Sequence, residues 1–250
     1  MSTRTVRFKI KRQADRSSAP RWEEFDVALE PQLNVIAALM QIQRKPATAA
    51  GQKTTPVVWD SNCLEEVCGA CTMLVNGRVR QACSTLVEKL DGDGVTLEPM
   101  SKFPVVRDLI VDRSRMFDSL KRVKAWIALD GSYDLGPGPR YSQAEWEERY
   151  HLSRCFTCGS CLEVCPQVND ASKFIGAAAI SQARLMNLHP TGKLEATARI
   201  EALMGEGGVF DCGNAQNCVQ ACPKEVPLTK SLSDMMRAAT KQSLLRWFKR

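Results

Sequence analysis

Residues 155–166 read CFTCGSCLEVCP, four cysteines spaced C-x2-C-x2-C-x3-C and closed by Pro166. In the bacterial ferredoxin run of this form, the first three thiolates hold one cubane cluster and the fourth serves a neighbouring one. The spacing has a physical cause. A cubane's irons lie a few ångströms apart, so three ligands must come from one tight loop, and a fourth cysteine one helical turn further on points away. Pro166, with its φ locked, fixes the direction in which the chain leaves. A run that exports one ligand implies a second run that returns one. Residues 212–223 supply it as CGNAQNCVQACP. Aligned on its Cys-Pro end, it reads C-x2-A-x2-C-x3-C-P, with Ala215 where the first run has Cys158. Alanine cannot ligate iron. One cluster is therefore expected on Cys155, Cys158, Cys161 and Cys222, and the other on Cys165, Cys212 and Cys218. Three thiolates suit a [3Fe–4S] cluster, unless an external ligand holds a fourth iron. Buried apolar cysteines or disulfides are the bland alternative for these seven residues.

A different cysteine pattern lies upstream. Cys63, Cys68 and Cys71, then Cys83 beyond the Asn76-Gly77 turn, form C-x4-C-x2-C…C, the plant-type [2Fe–2S] arrangement. Asn-Gly is a strong hairpin signal, so residues 72–75 and 78–82 are expected to pair. Gly69 lets the backbone approach a cluster and leaves N–H groups for its sulfurs. A four-cysteine zinc site usually shows two C-x2-C knuckles, and this segment has one.

A chain of 250 residues allows one or two domains, and 44% hydrophobic content can fill their cores. Eleven cysteines in this length fall below the density of a disulfide-stapled secreted scaffold. The N-terminus, MSTRTVRFKIKRQ, has no apolar stretch of secretory type, and no apolar run reaches membrane-spanning length. The expectation is a cytoplasmic chain with reduced cysteines. The net charge of +6 is dispersed, with no aromatic-interleaved basic stripe, and His151 and His189 stand alone. Nucleic acid is not an expected partner.

Alternation over residues 4–10 and 22–29 predicts two half-buried strands, and helical spacing predicts a helix over 33–42. Val57 to Trp59 reads as a short strand into the first metal site, and Val95 to Leu97 as a last one. From Leu109 to Ile127 the apolar period changes to that of a long helix, which sets the domain boundary at 107/108. The GPGP segment within 131–140 reads as a loop without a nucleotide-binding setting. Ser142 and Glu145 form a capping box opening a helix. Further helices are expected over 177–188, 194–204 and 228–248. The last ends with Leu244, Leu245, Trp247 and Phe248 among Lys241, Arg246, Lys249 and Arg250, either a basic amphipathic surface for a membrane or an ordinary helix terminus. Trp59, Trp126 and Phe156 read as core. His151 reads as structural, with a proton-carrying role as the alternative. Gln167 and Val168, after the Cys165-Pro166 corner, read as packing residues or as neighbours of a quinone.

The chain has no dinucleotide fingerprint, P-loop or nucleophile elbow. Three one-electron carriers without a substrate site describe an electron conduit between reactions performed elsewhere. Taken together, the three cysteine arrays resemble the iron–sulfur subunit of succinate dehydrogenase and fumarate reductase, over nearly the whole chain. The resemblance implies an α+β protein, with an N-terminal β-grasp plant-type ferredoxin domain (1–107) and a C-terminal all-α helical ferredoxin domain (108–250). It implies [2Fe–2S] on Cys63, Cys68, Cys71 and Cys83, and the [4Fe–4S] and [3Fe–4S] assignments given above. It further implies electrons passing from FAD in a flavoprotein subunit, through the three clusters in that order, to quinone at a membrane anchor. Many ubiquinone-reducing members carry tryptophans after the first Cys-Pro and a histidine after the first cysteine of the second run. This chain has Gln167 to Asp170 and Gly213 there. The stretches TTPVVWDSNCLEEVCGAC and DCGNAQNCVQACPKEVPLT resemble the branch with a dihaem cytochrome b anchor, often menaquinone-linked. That implies a peripheral protein on the cytoplasmic face of the inner membrane, with haem b or quinone as acceptor. The alternatives are a quinol:fumarate reductase subunit, or an iron–sulfur subunit of another dehydrogenase or a heterodisulfide-reductase-like complex.

Overall fold

The computed structural model describes residues 4–128 and 140–248. The GPGP loop, Lys249 and Arg250 lie outside them. The chain divides into two compact units, Met1–Arg113 and Ser114–Arg250.

In the first unit, β1 (Thr5–Arg12) and β2 (Arg21–Ala28) form an antiparallel hairpin in which Phe8 faces Phe25. Their alternation is what folds them this way. Phe8, Ile10, Phe25 and Val27 are buried, while Arg7 reaches outward to Glu24 and Asp26. Each such apolar side chain contributes about 1.5–3 kcal/mol relative to exposure. Helix α1 (Val35–Arg44) starts two residues later than the spacing suggested, because Asn34 Oδ1 accepts the Ala37 N–H at 2.8 Å and caps it. It buries Val35, Ile36 and Leu39 in the core of the sheet. Strands β3 (Thr72–Val75), β4 (Arg78–Gln81) and β5 (Gly94–Glu98) complete a sheet in the order β2-β1-β5-β3-β4. β5 runs parallel to β1 and the other pairings are antiparallel. A mixed sheet with a helix on its face is the β-grasp arrangement that the resemblance implied.

Two expectations fail in this unit. Val57 to Trp59 joins no ladder. Its backbone is held by a side chain instead: Val58 N–H donates to Asp108 Oδ2 at 3.0 Å, and Leu109 N–H donates to Val58 O at 3.1 Å. Nor does a long helix begin at Leu109. β6 (Val105–Arg107) turns through Asp108, at φ 46°, into β7 (Ile110–Val111), and α2 begins only at Ser114. Leu109 belongs to the core of the sheet, so its apolar character serves the first unit.

Asp108 and Arg12 are the buried polar centre of that unit, with side chains 3% and 1% exposed. Arg12 Nε and Nη2 donate to Asp108 at 3.0 and 3.1 Å, Nη1 donates to Glu23 at 2.5 Å, and Nη2 also reaches Thr55 O and Pro56 O. Asp108 also accepts the Gln13 and Val58 N–H groups. A buried pair so fully hydrogen-bonded fixes the chain that leads into the first cysteine loop.

The second unit is helical: α2 (Ser114–Arg122), α3 (Gln143–Ser153), α4 (Ser160–Glu163), α5 (Ala177–Leu188), α6 (Ala196–Met204), α7 (Asn217–Gln220) and α8 (Leu228–Phe248). The capping box at Ser142 and Glu145 is present. α5 is central, touching α2, α3, α4, α6 and α8. Its buried Ala177, Ala178, Ala179 and Ala183 let neighbours come close, and Ser181 and Ser231 share a hydrogen bond of 3.2 Å where α5 meets α8. Leu194 falls in a 3-10 turn before α6. Arg199 on α6 is fully buried and donates to the carbonyls of Lys124, Trp126 and Gly192 at 2.6–2.8 Å. Trp126 itself is 47% exposed, contrary to its reading as core. Arg199 grips its backbone and leaves the indole outside. Among the described residues, no helix is long and apolar enough to cross a membrane.

Candidate metal centres

The first array is built by a loop and a hairpin. Left-handed residues at Leu64 (φ 61°), Glu66 (φ 60°) and Gly69 (φ 72°) curl residues 63–71. The curl turns N–H groups onto sulfur: Glu65 and Val67 donate to Cys63 Sγ at 3.5 and 3.3 Å, and Ala70 donates to Cys68 Sγ at 3.5 Å. Those donors lower the Cys63 thiol to about 7. Asn76 and Gly77 both have positive φ and close the β3–β4 hairpin in the pairing Thr72↔Gln81. Cys71 and Cys83, which flank these strands, are thereby brought beside one another, both buried, with the Ala82 N–H donating to Cys71 O at 3.2 Å. Burial pushes the Cys71 thiol up to about 12; the Cys83 backbone N–H opposes that rise, and the Cys83 side chain adds to it. A buried thiol of that kind loses its proton only to a compensating cation, which is what metal binding supplies.

The other seven cysteines occupy two copies of one local structure. In the first run Thr157 (φ 54°) and Gly159 (φ 90°) are left-handed, and a four-residue helix, α4, carries Cys161. In the second run Asn214 (φ 53°) and Gln216 (φ 61°) are left-handed, and a four-residue helix, α7, carries Cys218. The closing turns match as well: Cys165 N–H donates to Leu162 O and Val168 N–H to Cys165 O, just as Cys222 N–H donates to Val219 O and Glu225 N–H to Cys222 O. Ala215 thus stands at the position that Cys158 occupies in the first copy.

The sulfurs gather across the copies. Cys155, Cys158, Cys161 and Cys222 line one hollow of about 370 Å³ of empty space, open to solvent. Cys161, Cys165, Cys212, Ala215 and Cys218 line a second, of about 430 Å³. Burial raises the thiols of Cys155, Cys158, Cys161 and Cys218. Neighbouring sulfurs add to it, and Cys161 stands between the two hollows. Cys158 feels Cys155 and Cys222, Cys218 feels Cys165 and Cys212, and Cys161 feels Cys158, Cys155 and Cys218. Among the described residues, no three His, Cys, Asp or Glu side chains converge on a single-ion site. A polynuclear cluster, with its protein thiolates on different irons, asks for a wider spacing. The donor set is all sulfur, with N–H donors beside it at Cys63, Cys68 and Cys222, where Val226 N–H lies 3.4 Å from Sγ. These residues fit iron–sulfur clusters.

Residues singled out elsewhere take simpler roles. His151 is exposed, and His189 Nδ1 accepts the Thr191 and Gly192 N–H groups at 3.3 Å. Trp59 packs half-buried on the first core. Phe156 is half-buried, with Lys224 Nζ 5.6 Å from its ring centre. Val168 is fully buried, whereas Gln167 lines the second hollow. A Cβ at Gly213 would lie 2.5 Å from Gln167 Nε2, so the absent side chain at one position makes room for the amide at the other. Sequence reading missed Arg113. Its Nη1 and Nη2 donate to Gly69 O and Ala70 O, each at 2.5 Å. It lies 42 residues beyond Cys71 and carries no motif.

Two sulfur-lined modules, one on a β-grasp sheet and one with paired cubane loops, define a multicluster electron carrier. Residues 7–118 match the 2Fe-2S iron-sulfur cluster binding domain and residues 151–226 the 4Fe-4S dicluster domain. The chain is 57% identical over 245 residues to the succinate dehydrogenase iron-sulfur subunit of Bacillus subtilis, covering 98% of this chain and 96% of that one. Fumarate reductase iron-sulfur subunits are more distant: 31% identity in Haemophilus influenzae, over 83% of this chain and 82% of the relative, and 27% in Wolinella succinogenes, over 88% and 90%. A chain of the Mycobacterium smegmatis Sdh1 complex in the apo form superposes with a TM-score of 0.80 at 24% identity, covering 96% of this chain and 98% of that one. The protein belongs to the family of succinate dehydrogenase and fumarate reductase iron–sulfur subunits, on its succinate dehydrogenase side. Its cofactors are [2Fe–2S], [4Fe–4S] and [3Fe–4S] clusters, and it is the electron-carrying subunit of that enzyme.

Proposed function

We propose that the eleven cysteines divide as Cys63, Cys68, Cys71 and Cys83 for [2Fe–2S]; Cys155, Cys158, Cys161 and Cys222 for [4Fe–4S]; and Cys165, Cys212 and Cys218 for [3Fe–4S]. The two electron-carrying modules then correspond to the two compact units, Met1–Arg113 and Ser114–Arg250, since Asp108 and Leu109 belong to the core of the first. Bound in this order, the clusters pass single electrons from a flavoprotein subunit's FAD toward a membrane-anchor cytochrome b, and so to haem b or quinone, with menaquinone our choice. The chain's own part is to supply thiolates, to aim N–H groups at sulfur, and to keep the hollows narrow. The wall of the second hollow is thin, since Gly213 to Asn217 are exposed. That favours the last cluster as the exit, and a peripheral position on the cytoplasmic membrane face.

The observation that carries the three-iron reading is the backbone repeat. Because Asn214 and Gln216 reproduce the left-handed positions of Thr157 and Gly159, Ala215 takes a ligand's place without a ligand's sulfur. The test is Ala215→Cys in the purified complex, read by EPR. The parent should show an oxidised three-iron signal, and the variant should lose it in favour of a four-iron one at lower potential, with slower quinone reduction. A parent with four-iron features only, or a variant with unchanged EPR and turnover, would refute the assignment.

A further inference from the structure

The geometry points to Arg113 as a positioning residue for the [2Fe–2S] site: its guanidinium fork holds the peptides of the Cys68–Cys71 loop so that the Ala70 N–H faces Cys68 Sγ. The inference rests on the [2Fe–2S] reading of Cys63, Cys68, Cys71 and Cys83, and deepens it.

A trans peptide is planar, and its C=O and N–H point in opposite directions. The Gly69–Ala70 peptide is gripped at both ends. Its carbonyl accepts Arg113 Nη1 at 2.5 Å, and its N–H donates to Cys68 Sγ at 3.5 Å. The next carbonyl, Ala70 O, accepts Arg113 Nη2 at 2.5 Å, which turns the Cys71 N–H away from the guanidinium. Two consecutive carbonyls on one rigid fork leave the planes between them little freedom, and a lysine ammonium offers no such fork. Gly69, left-handed at φ 72°, allows this local fold, and its carbonyl also accepts the Thr72 hydroxyl at 2.8 Å. Arg113 thus acts on the cluster through the loop. It fixes a donor on a ligating sulfur and places a permanent positive charge behind the loop. Both favour the more negative, reduced form of a bound cluster, since hydrogen bonds to sulfur and local charge set its potential.

The experiment is an EPR-monitored redox titration of the assembled complex, comparing the parent with Arg113→Leu and Arg113→Lys. At a fixed applied potential, Arg113→Leu should lower the reduced-to-oxidised ratio of the two-iron signal about tenfold, a shift of 59 mV for one electron. The three-iron midpoint should stay in place as an internal control. Arg113→Lys keeps the charge and loses the fork, so its shift should be smaller and in the same direction. Unchanged two-iron midpoints in both variants overturn the inference. If Arg113→Leu retains no two-iron cluster, Arg113→Lys decides: a lowered midpoint supports the role, and a parent-like one overturns it. A parent complex with no reducible two-iron signal overturns the underlying site assignment, and this inference with it, so the two failures are distinguishable.

Discussion

Replacing Asp108 with alanine should loosen the whole approach to the two-iron site. The substitution removes both carboxylate contacts to Arg12, at 3.0 and 3.1 Å, and orphans the Gln13 and Val58 N–H groups. Removing one partner of a buried ion pair costs about 3–5 kcal/mol, because the other charge stays buried. Here Glu23 still faces Arg12 at 2.5 Å, which places the expected loss at the lower end, about 3 kcal/mol. That is on the order of a hundredfold in the folded-to-unfolded ratio, and roughly 10 °C or more in the midpoint of a unit this size. The assay is thermal loss of the visible circular dichroism of the two-iron site, at one scan rate, for the parent and Asp108→Ala. Pairing Arg12→Met with Asp108→Leu should cost less than the two single changes summed, since no buried charge is then left alone. A midpoint shift below about 3 °C, or a double variant that is simply additive, would mean the pair is not the anchor described.

Other expectations follow from the second unit. Cys165→Ser should abolish or distort the three-iron EPR signal and leave the two-iron signal intact; loss of the two-iron signal instead would break the ligand partition. Gly213→Ala places a methyl 2.5 Å from Gln167 Nε2 and should displace that amide, altering the three-iron line shape while Gln167→Ala combined with Gly213→Ala restores it. A line shape indifferent to both changes would show the contact has no bearing on the site. The Lys230 hydrogen bond holds Glu148 below its ordinary 4.5. For Asp234, ordinarily 3.8, burial opposes ionisation, and hydrogen bonds from Lys230 and Arg237 outweigh it. Depressed carboxylates stabilise the fold above their unfolded values, and that stability fades as pH falls through the folded ones. The stability difference between the parent and Glu148→Gln should therefore be full at pH 7 and shrink steadily below about pH 4.5. A difference that does not vary with pH would show that Glu148 is not held by charge.

The cysteine spacings and the Asn76-Gly77 turn made the three arrays legible, because each is a local device whose geometry follows from a few consecutive residues. The same holds for Ser142, which caps its helix within three positions, whereas Asn34, as local a device, was passed over by the apolar spacing alone. The misreadings share a cause. Leu109 and Ile110 carry apolarity that suits a helix, yet the turn at Asp108 commits Leu109 to the first core and Ile110 to a hairpin. Trp126 has the chemistry of a core residue and is left outside by the arginine that grips its carbonyl.

The arginines mark the limit of sequence reading most clearly. Arg12, Arg113 and Arg199 belonged to a dispersed positive charge that excluded nucleic acid and otherwise carried no assignment. In the folded chain each spends its donors on backbone carbonyls far away in sequence: Thr55 and Pro56, Gly69 and Ala70, Lys124 and Trp126. What the amino-acid order determined was which sulfurs exist, how they are spaced and which one is missing at Ala215, since ligand identity and loop geometry are local properties. What tertiary structure alone decided was which distant charged side chain steadies each loop. A guanidinium's partners are set by where folding brings the backbone, and no periodicity along the chain encodes that meeting.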